Sequence, residues 1–166
     1  VVRRVTAAAS ALLAATMLVA CGLAGASETD PADAPETVDI SDPAAYAADL
    51  VEATNEAREA EGLAALTPSV CAADAAAVRA ADLVGSDDLT HAPLEGVIET
   101  CAPANGAAEN LVRSAADPRA VTEAWLDSPG HRENLLNPDY VTGAIVCEPD
   151  SDVLVCAHVF LNAEVA

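Results

Sequence analysis

The chain has 166 residues and a formal net charge of -20, set by 27 Asp and Glu against seven basic residues, all of them Arg. That length suits one domain with a real core, and the acidic balance excludes a nucleic-acid partner, which needs clustered Lys or Arg to neutralise phosphates. Hydrophobic residues make up 52% but aromatics only 2%, so the core must be mostly Ala, Val and Leu, which bury less area per residue than Phe or Trp, and covalent staples are expected.

Arg3 and Arg4 precede an uncharged run of small and apolar residues ending at Ala20, a secretory signal pattern shorter than a membrane span of about 20 apolar residues. Leu18-Val19-Ala20-Cys21 resembles a bacterial lipobox. On that pattern residues 1–20 are a signal peptide and Cys21 becomes the lipidated mature N-terminus. Two or three acyl chains anchor stably where one does not, so membrane contact is expected through that anchor only. An ordinary cleavable signal is the alternative. Residues 21–41 are rich in Pro, Asp, Glu, Ala and Thr with few large apolar side chains. Such a segment cannot offset its ordering entropy and reads as a disordered acidic linker, reaching on the order of 25 Å.

The folded domain is expected over residues 42–166. Asp42-Pro43, Thr67-Pro68, Asp117-Pro118 and Ser128-Pro129 each place a capping side chain before proline, a helix-start signal. The first helix is expected from Pro43 to about Glu61, with Tyr46, Leu50, Thr54 and Ala57 along one face and Gly62 as its stop. A second is expected from Pro68 to Val84, with Cys71, Ala75, Val78 and Ala81 inward and Asp74 and Arg79 elsewhere. A third covers Pro118 to Asp127, and a short fourth starts at Pro129 and ends before Pro138. The segment Ser86 to Ser114, punctuated by Gly and Pro and holding His91 and Glu109, reads as a long functional loop. Tyr140–Val146 and Val153–Phe160 read as strands of a terminal hairpin. Helices followed by a hairpin give an α+β class with a small antiparallel sheet.

Apart from Cys21, four cysteines remain, an even number in an exported protein, which points to two disulfides with three possible connectivities. Turning the hairpin about Ser151-Asp152 sets Cys147 opposite Cys156, leaving Cys71 for Cys101. Free thiols or a Cys–His nucleophile are the alternative, which an oxidising compartment disfavours.

The stretch Trp125-Leu126-Asp127-Ser128-Pro129-Gly130-His131-Arg132-Glu133-Asn134-Leu135-Leu136, followed by Pro138 and Gly143, resembles the bacterial branch of the CAP superfamily, also called SCP-domain proteins. Asn55, Arg58, Leu66-Thr67-Pro68, Thr90-His91, Ala108-Glu109-Asn110-Leu111 and Phe160 agree in order. The resemblance covers about Tyr46 to Phe160. It implies a three-layer α-β-α sandwich with a cleft in which His91, Glu109 and His131 meet. Many eukaryotic relatives carry a further Glu three residues after the Trp, where this chain has Ser128, so the tetrad is reduced to a triad.

Two imidazoles and a carboxylate suit a divalent ion such as zinc, although the spacing of His91, Glu109 and His131 carries no metal signature. A hydrogen-bond network bracing the loop is the rival reading. His158 reads as a satisfied, partly buried histidine, Trp125 as core packing, and Arg132 and Asn134 as braces of the loop. No Gly-x-Ser-x-Gly elbow occurs and Ser128 is assigned to a cap, so an activated nucleophile is missing. Relatives in the superfamily bind sterols or other lipids, or act as toxins or signals. The expectation is therefore a non-catalytic, extracytoplasmic lipoprotein domain that binds a small apolar or envelope ligand, or a protein partner, through the His/Glu cleft. The alternative is a metal-dependent hydrolase of the cell envelope at the same cleft.

Overall fold

Along the chain run α1 (Pro43–Ala60), β1 (Thr67–Pro68), α2 (Val70–Leu83), α3 (Glu95–Thr100), β2 (Ala107–Ser114), α4 (Pro118–Asp127), α5 (Pro129–Leu135), β3 (Thr142–Asp150) and β4 (Val153–Leu161). This is a computed structural model, and it describes residues 38–163. The expected signal peptide, Cys21 and most of the expected linker lie outside the described residues.

The Asp-Pro caps act as anticipated. The Asp42 carboxylate accepts from the backbone N–H groups of Ala44 and Ala45, and that of Asp117 accepts from Arg119 N–H. Tyr46, Leu50 and Thr54 lie on the buried face of α1. Thr67-Pro68 behaves differently. It forms a two-residue strand parallel to β3, with Thr67 opposite Thr142. A residue before proline avoids the α region, so the chain stays extended there. The cap passes to Ser69, whose hydroxyl accepts from Ala72 N–H. The inward face of α2 is then Ala72, Ala76, Ala80 and Leu83, whereas Val78 is 61% exposed, so the expected inward face is off by one to two positions. Alanine on every side leaves little contrast from which to read a face.

The segment expected as one loop contains α3 and the whole of β2. That strand is polar at Glu109, Asn110, Arg113 and Ser114, which hides its alternation. It pairs antiparallel with β4, and the sheet order is β1-β3-β4-β2. The sheet is therefore mixed, because β1 is parallel to β3. Successive residues of β4 supply the two sides of the core. Val155, Ala157, Val159 and Leu161 pack with the α2 alanines and Leu111. Leu154 and Cys156 pack with Tyr46, Leu50, Trp125 and Leu135 of α1, α4 and α5. These are the expected three layers.

Both staples form. Cys147 and Cys156 are register partners across the β3–β4 hairpin, with Cα atoms 4.0 Å apart, and Cys71 of α2 is joined to Cys101 at the end of α3. Among the described residues no helix is long and apolar enough to cross a membrane.

Candidate functional site

Alternation along β2 sends neighbouring side chains to opposite layers. Leu111 and Arg113 share the α2 side with Glu109, since Leu111 joins the α2 core and Arg113 donates to Leu83 O. Asn110 points the other way, and its side-chain amide donates to His131 O at the start of α5. Asn134 of α5 then donates to Asn110 Oδ1 and Glu109 O. Because β2 is an edge strand, the two layers meet around it, and the candidate site gathers at that edge.

Glu109 is 4% exposed. Its Oε1 lies 2.8 Å from His91 Nδ1, and its Oε2 lies 3.2 Å from Arg79 Nε. The Arg79 contact is an ion pair by distance but lacks hydrogen-bond geometry, so Oε2 has no hydrogen-bond partner among the described residues. Arg79 Nη2 also donates to Ala92 O and Pro93 O, fastening the chain just beyond His91. The His91 side chain remains about half exposed, at 54%. His131 forms no side-chain hydrogen bond to either residue among those described. Its pKa is lowered by burial and by the charge of nearby His91, which keeps its imidazole neutral.

His91 and Glu109 are thus in direct contact, whereas His131 joins them only through its carbonyl, which accepts from Asn110, and through the charge of His91. Two participants were not anticipated. Arg79 was placed off the inward face of α2, yet it is that helix's one basic residue and reaches the buried carboxylate. Asn110 was visible only as the neighbour of Glu109, and it links the layers. Asn134 does brace the site, whereas Arg132 reaches outward to Glu61. The Ser128 side chain makes no capping hydrogen bond, and only its carbonyl serves α5, accepting from Arg132 N–H.

The donor set does not fit a resident divalent ion in this arrangement. A guanidinium already faces the Glu109 carboxylate, and among the described residues no group of three His, Cys, Asp or Glu is placed to hold a metal. The four described cysteines are all in disulfides, leaving none as a thiolate nucleophile.

His158 departs from expectation. It is 2% exposed, its ring lies 3.7 Å centroid to centroid from that of Phe160, and its Nδ1 has no partner among the described residues. Trp125 is core, its indole N–H donating to Leu111 O.

A three-layer, disulfide-stapled sandwich with a His–Glu pair at its sheet edge defines a recognisable class. The model of the cysteine-rich secretory protein (CAP) family matches residues 51–160, and the chain belongs to that family. It is 28% identical over 102 residues to the uncharacterized protein YkwD of Bacillus subtilis, covering 58% of this chain and 40% of that protein. The chain thus spans less than half the length of that curated relative. Among solved structures it is similar to an outer surface protein of Borrelia burgdorferi, with a TM-score of 0.66 and 22% identity over 74% of this chain and 96% of that one. A cysteine-rich secretory protein of Staphylococcus aureus matches with a TM-score of 0.64 and 22% identity, over 75% of this chain and 41% of that one. These likenesses carry the fold.

Proposed function

We propose that this protein is a non-catalytic, extracytoplasmic binding module that takes a small apolar or amphiphilic envelope ligand beside the His91–Glu109 pair. The observation that carries this is a groove of about 400 Å³ between α2 and α3, lined by Ala75, Val78, Val97 and Pro93 and ending at Arg79, the side chain that also pairs with Glu109. Apolar walls interrupted by a few polar side chains, here Arg79, Asp74 and Thr100, suit binding and orientation. Val78 is exposed without a ligand, so covering it is favourable. Catalysis is disfavoured because the Glu109 carboxylate is buried with both oxygens already facing protein side chains, Oε1 facing His91 and Oε2 facing Arg79, which leaves neither free to meet a substrate. For the same reason the metal-dependent hydrolase is the weaker reading.

An extracytoplasmic location is supported by the two disulfides. It is also supported by relatives described as an outer surface protein and as an extracellular SCP-domain protein of Bacillus anthracis. We further propose that Cys21 carries the lipid anchor.

Calorimetric titration with dodecanoate below its micellar concentration tests the binding reading. Saturable binding is expected, weakened at least about tenfold by Val78→Glu, which places a charge on the groove wall. Absence of saturable binding to the wild-type protein, or equal affinity of the variant, would overturn it.

A further inference from the structure

A second cavity, of about 300 Å³, lies away from Glu109 between α1, the start of α2 and the β1–β3 edge. Its walls include Val51, Val70, Ala73 and Ile145, and they contain no Asp, Glu, Lys or Arg. Two of its polar linings are already committed. Ser69 Oγ accepts from Ala72 N–H, and Asn55 Oδ1 accepts from Leu66 N–H. Thr54 and His158, which also line it, are 1% and 2% exposed, and Thr54 Oγ1 and His158 Nδ1 have no partner among the described residues.

Buried polar atoms are rarely left unpaired, and two at one cavity are an unusual cost for a core this small. Gly143 contributes to the opening. A Cβ there would stand 2.8 Å from Val159 O and 3.4 Å from His158 Nε2, so the close approach of β4 admits only glycine, and no side chain at this position covers the ring. At the cavity's edge Val70 is 67% exposed, a large apolar surface left uncovered at the N-terminus of α2.

We infer that this cavity is a binding site for a small uncharged amphiphile, a short aliphatic chain bearing one hydroxyl group. A hydroxyl both donates and accepts, so it complements a threonine hydroxyl and either tautomer of a neutral imidazole. An anion would find no cation in the lining, and an ammonium would find no carboxylate. The volume holds on the order of ten water-sized groups at ~30 Å³ each, which matches a chain of about eight carbons and a hydroxyl. Burial and the charge of Arg58 keep His158 neutral, consistent with an uncharged ligand. The site shares no residue with the groove at Arg79, so it stands or falls separately.

Titration of the full-length protein with 1-octanol, followed by calorimetry and by the imidazole ¹⁵N resonances of His158, tests this. Saturable binding that shifts the His158 resonances is expected, with octanoate at least about tenfold weaker by those same resonances. Thr54→Val should weaken octanol binding by roughly 2- to 10-fold while leaving the free protein equally or more stable, because it deletes an unpaired hydroxyl at constant shape. Ala73→Phe, which fills the cavity from α2, should abolish binding. No saturable binding, unmoved His158 resonances, or octanoate shifting the His158 resonances at concentrations as low as octanol would each overturn the inference.

Discussion

Two buried cationic-type side chains sit within reach of each other's charge, and they are treated differently. Arg58 is 2% exposed and pairs with no carboxylate among the described residues. Instead it donates to the carbonyls of Ala64, Leu135, Asn137 and Tyr140, tying α1 to the loops around β1 and α5. His158 has no such set of acceptors. Burial first, and the Arg58 charge second, push its pKa down from the ordinary 6.5 to about 3. Between those values the unfolded chain takes up a proton that the folded one refuses. Stability is therefore fully present above pH 6.5 and declines as pH falls, by up to about 1.4 kcal/mol per pH unit. His131, lowered by burial and by His91, acts in the same direction. The urea midpoint should fall between pH 6.5 and 5, above the range where most carboxylates titrate. His158→Phe should flatten that fall. A wild-type midpoint constant over this interval would refute the assignment.

At the scale of elements, α3 has no buried residue of its own and stays in place chiefly through Cys101 and the packing of Val97. The Cys71–Cys101 bridge spans 30 residues and the Cys147–Cys156 bridge spans 9. On the chain-entropy account these contribute about 3.6 and about 2.6 kcal/mol respectively. Replacing both Cys71 and Cys101 by Ala should lower unfolding free energy in urea by about 1 kcal/mol more than the Cys147, Cys156 double replacement. Equal or reversed losses would show that chain entropy is not the governing contribution. The hairpin bridge could be read from the sequence because a short turn sets its partners opposite each other. The α2–α3 bridge followed only by elimination. Proline-based starts located α1, α4 and α5 because an Asp or Ser before Pro has few other local uses. The same signal failed at Thr67-Pro68, where pairing with Thr142 and Gly143 won over helix initiation. Strand β2 stayed hidden because the site itself occupies it. Glu109 and Asn110 replace apolar residues that would have shown the period of two. Arg79 was missed because an alanine-rich helix gives no contrast between its faces.

Across the whole molecule, charge restricts how the protein can meet a membrane. At -20, with no Lys anywhere and no Arg among residues 22–41, the chain has no basic segment beside the proposed anchor to adhere to anionic lipid. Such segments contribute about 1 kcal/mol per basic residue near the surface, and here the acidic side chains repel instead. Among the described residues no helix is able to span a bilayer. On the proposal that Cys21 is acylated, retention rests on its acyl chains, whose hold comes from buried methylenes and is indifferent to salt. In cells expressing the full-length chain, the protein should sediment with membranes in 1 M salt, on the order of full retention, and detergent should release it. Cys21→Ser should leave the folded domain intact, judged by its urea midpoint, and shift the protein to the soluble exported fraction. Membrane retention of the Cys21→Ser protein, or release of the wild type by salt alone, would place the attachment elsewhere on the surface.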